Sequence, residues 1–136
     1  MTDGFVNYWE NIVNNQRDSP EYSFAKKMTD IPKVVFTRTL EKSSWNNTTL
    51  AKGPLREEIV KLKNLPGKDL VVYGGAGFVS SLVKEELIDE FNLFINPVMI
   101  HKGMRIFDQA EGKHPLSRVS ATPYTSGVTV LTYRKV

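Results

Sequence analysis

An α/β fold built on a mixed sheet is the architecture this sequence predicts, and three observations lead to it. Leu70, Val71, Val72 and Tyr73 form a short apolar, β-branched run, too short for a helix and suited to a strand covered on both faces. Gly74, Gly75 and Gly77 follow at once, and then Val79, Leu82 and Val83 recur at helical spacing. The chain closes with two strand-like stretches, about 116–122 and 128–134, joined through Ser126 and Gly127. Strand and helix signals alternate ahead of that hairpin, which is the pattern of an α/β domain.

In chain order, Phe5, Tyr8, Trp9, Ile12 and Val13 recur at helical intervals, with Asp3 or Thr2 as the cap and Asn14 and Asn15 as the end. Ser19, Pro20 and Glu21 read as a second helix start: a cap, a proline at the first position and an acid in the first turn. Residues 33–37 read as a strand, with Arg38 and Thr39 at its carboxyl end. Residues 45–51 form a weaker extended piece, because Asn46 and Asn47 are poor strand formers. Gly53 and Pro54 open a helix with Leu55, Ile59 and Leu62 on one side. Its early Glu57 and Glu58 and late Lys61 and Lys63 match the macrodipole. Residues 90–100 read as a strand interrupted at Asn96 and Pro97, which suits an edge or a bulge.

The 136 residues are enough for one domain with a real core, expected to run over 1–136. At 40% hydrophobic and 24% charged the composition is ordinary for a globular protein. The net charge of +3 comes from scattered basic residues with no stripe for nucleic acid, so no nucleic-acid partner is expected. There is no cysteine and only two isolated histidines, which argues against a disulfide scaffold, thiol chemistry or a zinc site. No segment approaches about 18 consecutive apolar residues, and the N-terminus lacks a signal-peptide pattern. A cytoplasmic protein with no membrane partner is expected.

The chemistry concentrates at the carboxyl ends of the expected parallel strands, where open α/β sheets bind ligands. Three segments fall there: Thr37, Arg38 and Thr39; Lys52 and Gly53; and residues 74–77. A glycine turn ahead of a helix presents bare N–H groups at the positive helix end, a ready anion site. An ordinary tight strand-to-helix connection has the same pattern. Arg38, between two hydroxyls, suits a separate phosphate through a forked contact. Together these describe a dinucleotide carrying an extra phosphate, NADP rather than NAD. The glycines do not match the usual G-x-G-x-x-G fingerprint.

Five motifs run in order along the chain: V-V-F-T-R-T-L (34–40), W-N-N-T-T-L (45–50), G-K-D-L-V-V-Y-G-G-A (67–76), P-V-M-I-H-K-G-M-R-I-F (97–107) and S-G-V-T-V-L-T-Y-R (126–134). With them the sequence resembles the dihydrofolate reductase-like family, in particular the reductase domain of the bifunctional riboflavin-biosynthesis deaminase-reductase. The resemblance covers most of residues 5–134. It implies a mixed, mostly parallel sheet flanked by helices, with a C-terminal antiparallel hairpin. It implies NADPH as hydride donor to a small heterocyclic substrate of the 5-amino-6-(5-phosphoribosylamino)uracil type, and a homodimer. Carried over by position, Thr37, Arg38 and Thr39 face the adenosine 2′-phosphate. Tyr73, Gly74, Gly75, Ala76 and Gly77 lie along the pyrophosphate, and Lys52 and Gly53 lie near the adenosine. The family's unusual cis peptide is expected between Gly74 and Gly75.

One departure stands out. Members of the family normally begin with an apolar strand followed by a segment of the type S-L-D-G-F, which lines the nicotinamide and substrate pocket. Here Met1 leads almost directly into the helix with Tyr8 and Trp9, so the first strand is expected to be absent. A fragment, completion by another chain, and loss of catalysis all agree with that. The alternative function is therefore a nucleotide-binding or interaction domain without catalysis. No catalytic residue is assigned, because in hydride transfer the cofactor supplies the chemistry and the protein supplies orientation. His101 reads as an exposed loop residue, His114 as a turn residue, Trp9 and Trp45 as packing residues, and Asp89 with Glu90 as a solvated pair.

Overall fold

The computed structural model describes residues 3–136, and Thr2, one of the two expected caps of the first helix, lies outside them. The chain divides into two compact units, Met1–Gly67 and Lys68–Val136. The class is α/β.

In the first unit, α1 (Asp3–Asn15) and α2 (Tyr22–Asp30) pack together, followed by β1 (Lys33–Phe36), β2 (Thr48–Ala51) and α3 (Leu55–Lys63). The apolar stripe of α1 supplies the core: Val6 and Ile12 are buried, with Ala25 of α2 and Ala51 of β2. Trp9 lies between α1 and α2, edge-on to Tyr8 at 4.8 Å and to Phe24 at 5.0 Å, as its packing assignment expects. α2 begins two residues later than expected. Tyr22 is its first residue and Glu21 stands at the cap position with no side-chain cap bond. The Ser19 hydroxyl instead accepts the N–H of Glu21 at 3.2 Å, shaping the turn ahead of the helix. Lys33 closes the far end, its ammonium donating to the carbonyls of Thr29 (2.8 Å) and Ile31 (3.0 Å), while burial pushes its pKa down.

β1 and β2 run parallel, Lys33 opposite Thr48 through Phe36 opposite Ala51. The expected extended piece over 45–51 is a strand only from Thr48, because Asn47 turns the chain in left-handed conformation (φ 52°). Its amide donates to the Asp30 carbonyl at 3.1 Å and its carbonyl accepts the Lys33 N–H at 2.7 Å.

The second unit holds α4 (Ala76–Lys84) and an antiparallel sheet of β3 (Glu90–Ile95), β4 (Leu116–Pro123) and β5 (Thr129–Lys135), in the order β3-β5-β4. The closing hairpin is as expected. The mostly parallel sheet is not: among the described residues one parallel pair and one separate antiparallel sheet are found. The expected strand over 70–73 has no place in either. These residues belong to no ladder, and Leu70, Val71 and Val72 are 53%, 75% and 39% exposed. β3 stops at Ile95, just before Asn96 and Pro97, since proline brings no N–H to continue a ladder. Residues 98–100 are irregular and exposed.

Candidate functional site

In the first unit the parallel register brings two of the expected segments side by side. Thr37, Arg38 and Thr39 leave β1 and Lys52 and Gly53 leave β2 at the same carboxyl edge, tied by the Thr37 N–H donating to the Ala51 carbonyl at 3.1 Å. The Thr37 hydroxyl is already partly used: it accepts the N–H groups of Thr39 (3.2 Å) and Leu40 (3.0 Å), folding the loop back at Arg38. Arg38 is exposed and makes no hydrogen bond or ion pair among the described residues. Lys52 is likewise exposed and unpaired there. A Cβ added at Gly53 would meet the carboxylate end of the flexible Glu58 side chain, which also pairs with Lys61 at 3.1 Å.

In the second unit Tyr73, Gly74, Gly75, Ala76 and Gly77 stand together at the start of α4. Gly75 occupies the cap position with φ 82° and Gly74 has φ 156°, conformations that favour glycine. The peptide between Gly74 and Gly75 is trans, not the expected cis, since the two positive φ values alone turn the chain into α4. The first intrahelical bond is Val79 N–H to the Gly75 carbonyl at 2.9 Å, and α4 has neither a side-chain cap nor an acid in its first turn. The N–H groups ahead of Val79 are therefore left without helical partners at the positive end of the dipole. A Cβ added at Gly74 or Gly77 would meet nothing within 4 Å, so the backbone there is open to a ligand. Each set, taken by itself, offers groups that suit an anion: bare amides at the start of α4, and in the first unit a guanidinium and an ammonium without partners among the described residues.

α4 also forms one wall of an open cleft of about 760 Å³, through Ala76, Gly77 and Ser80. The facing wall comes from residues 100–105 with Asp108 and Gln109. It is fastened by Ser80, which is 2% exposed and whose Oγ accepts the Gln109 N–H at 3.2 Å. This wall carries His101, Lys102 and Arg105, and sequence reasoning missed it. His101 is exposed in a loop as expected, yet it also lines the cleft. The signal was a run of His101, Lys102 and Arg105 around a glycine, just beyond the strand expected over 90–100.

The C-terminal RibD domain profile matches residues 5–130 of this chain. The chain belongs to the RibD C-terminal domain family. Two Bacillus subtilis (strain 168) proteins of uncharacterised function are relatives. YyaP is 32% identical over 122 residues, 90% of this chain, and YwjB is 24% identical over 112 residues, 78% of this chain. The chain spans 64% of the length of each. A crystal structure of a Shewanella sp. PV-4 protein, provisionally assigned to riboflavin biosynthesis, superposes with a TM-score of 0.67. It covers 100% of this chain and 81% of the other at 21% identity, a likeness of fold. The resemblance read from the five ordered motifs is thus borne out, and the RibD C-terminal domain fold accounts for the alternation of strands and helices. No helix among the described residues is long and apolar enough to cross a membrane.

Proposed function

We propose that this chain is an NADPH-dependent reductase domain acting on a small heterocyclic substrate, of the 5-amino-6-(5-phosphoribosylamino)uracil type. The observation that carries it is the start of α4: two glycines at positive φ, no cap, no acid, and amides without helical partners. Membership of the RibD C-terminal domain family supports the same reading. In this reading Tyr73, Gly74, Gly75, Ala76 and Gly77 hold the pyrophosphate through backbone N–H groups. Arg38 takes the 2′-phosphate with the hydroxyls of Thr37 and Thr39, and Lys52 and Gly53 border the adenosine. The dinucleotide, when bound, supplies the hydride; the protein binds and orients it. A cytoplasmic homodimer completes the proposal, and light scattering of the purified chain measures its assembly.

Isothermal titration of the folded chain with NADPH tests the cofactor. Affinity in the micromolar range, with NADH weaker, is the expected outcome; binding no tighter than millimolar overturns it. A second reading, a nucleotide-binding or interaction domain without catalysis, is favoured by the exposed, unladdered residues 70–72. NADPH binding with no oxidation in the presence of pyrimidine or pterin substrates selects it.

A further inference from the structure

We infer that residues 109–114 form a strap along α4 with a clasp at each end, one fixed and one that closes fully only when the His114 ring is protonated. Just ahead of the strap, the Phe107 ring packs against Phe91 of β3 at 5.8 Å. The near clasp is the Gln109 N–H, which donates to the Ser80 hydroxyl at 3.2 Å. The far clasp is His114, whose Nδ1 lies 3.3 Å from the Oε1 of Glu86, two residues beyond the end of α4. Between the clasps the chain has neither helix nor strand. Residues 111–115 are exposed there, and Gly112 turns the backbone at φ 78°. Few contacts hold such a segment, so the two clasps decide how firmly it lies.

What the far clasp does follows from what faces each ring nitrogen. Nε2 lies 2.8 Å from the Glu111 carbonyl oxygen and Nδ1 faces the Glu86 carboxylate, and both of those groups only accept hydrogen bonds. A neutral imidazole carries one N–H, so it serves one acceptor and turns a lone pair on the other. The imidazolium carries two and satisfies both, with charge attraction added at Glu86. Glu86 is itself held in place. It sits in the left-handed region (φ 53°), and its N–H donates to the Val83 carbonyl at 2.9 Å. The charged groups around the ring are Glu86 after α4, Lys135 of β5, and Glu111 and Lys113 on the strap. Lys135 donates to the Glu86 Oε2 at 2.7 Å while the ring faces the Oε1, so the carboxylate lies between the two cations. The His114 side chain is 38% exposed, so protons reach it freely. Histidine gains and loses its proton between about pH 5 and 8, where ordinary carboxylates and lysines keep their charge. The far clasp therefore tightens toward the acid end of that range and loosens toward the alkaline end. The Ser80 clasp holds no titrating group and stays as it is. The consequence falls on the cleft, because Gln109 is part of its wall and the strap runs on from it. This device stands apart from the reductase reading and needs no ligand.

The full chain, labelled with ¹⁵N, is followed by NMR relaxation at about pH 5.5 and about pH 8. Order parameters at Gly112 and Lys113 are expected at about 0.85 in acid and below about 0.6 at the upper pH, with Gln109 unchanged. His114→Gln, neutral at every pH, is expected to lose the response, and so is Glu86→Gln, which keeps the histidine and removes the carboxylate. His101→Gln is expected to respond as the parent does, since His101 is exposed and has no partner among the described residues. Salt at about 1 M is expected to loosen the strap in acid, by screening an exposed pair. The spread of the amide spectrum checks that each variant is folded, and either one of the first two suffices for the test. Equal order parameters at the two pH values in the parent, or a response that survives in His114→Gln or Glu86→Gln, overturn the proposal.

Discussion

β1 reads Lys-Val-Val-Phe and residues 70–73 read Leu-Val-Val-Tyr, two nearly interchangeable runs with opposite fates. The first is a strand because Thr48, Thr49, Leu50 and Ala51 lie opposite it in parallel register and Lys33 anchors its start to α2. The second has the same β-branched residues and no ladder partner, and its apolar side chains stand largely in solvent. β-propensity describes a fit to a pleated, half-covered surface, so the same residues give a strand only where a neighbour supplies that surface. The contrast extends to the cores. The first unit buries Val6, Ile12, Ala25 and Ala51, whereas the second buries Leu82 and Leu87 and leaves Met99 and Met104 about 99% and 88% exposed.

The strongest way to break this contrast is to truncate one buried and one exposed apolar residue. Ile12 is 2% exposed, so Ile12→Ala removes packed methyl groups and leaves a cavity, costing about 2–5 kcal/mol in urea unfolding. Val71 is 75% exposed, so Val71→Ala is expected within about 0.5 kcal/mol of the parent. A loss above about 1 kcal/mol at Val71 would mean that residues 70–72 are covered in solution, and the contrast would collapse.

A smaller effect is expected at the turn that follows the unladdered run. At Gly75 (φ 82°) a Cβ would meet only the Phe78 Cβ, at 3.7 Å, an ordinary contact. Gly75→Ala therefore carries conformational strain without a clash, about 1–2 kcal/mol. If the amides of this turn hold the pyrophosphate, NADPH affinity falls along with stability. Arg38→Ala separates the two quantities in the other unit. Its guanidinium has no partner among the described residues, so stability should stay within about 0.5 kcal/mol. NADPH affinity should fall about tenfold with NADH unaffected, as calorimetry of the two cofactors will show.

What could be read from the residues alone follows the same division. Helices α1, α3 and α4 and the hairpin of β4 and β5 were legible because their signals are local: apolar spacing, acids early and lysines late, and a Ser126–Gly127 turn. The fate of residues 70–73 was not legible. Covered and uncovered apolar runs have one composition, and only a neighbour distant in sequence tells them apart. The start of α4 was read correctly as a glycine turn into a helix, but the peptide geometry within it was not. The cationic wall at His101, Lys102 and Arg105 escaped because its meaning depends on facing α4. That placement comes from the Gln109 backbone N–H donating to the Ser80 hydroxyl, 29 residues apart.

The smallest expected effect sits on the sheet that does form in the second unit. Glu90 lies opposite Arg134 in the β3–β5 register and accepts its Nε–H at 2.9 Å, with a further bond from Asn92 at 3.2 Å. Those hydrogen bonds, Arg134 first, hold the Glu90 carboxyl below the usual carboxylate range. A carboxyl with a lowered folded-state pKa binds its proton less readily in the native state than in the unfolded chain. It therefore adds stability above the unfolded pKa and loses it as the pH falls through the folded value. The pair is exposed, with the Arg134 side chain 65% open to solvent, so screening keeps the contribution slight. Thermal melts of the parent and Glu90→Gln should differ by a small margin near pH 7, and that margin should close as the pH is brought to about 3. A gap that persists unchanged in acid would mean that the difference between the carboxyl and the amide at this position does not come from charge, and that ionic pairing across β3 and β5 adds nothing to their register.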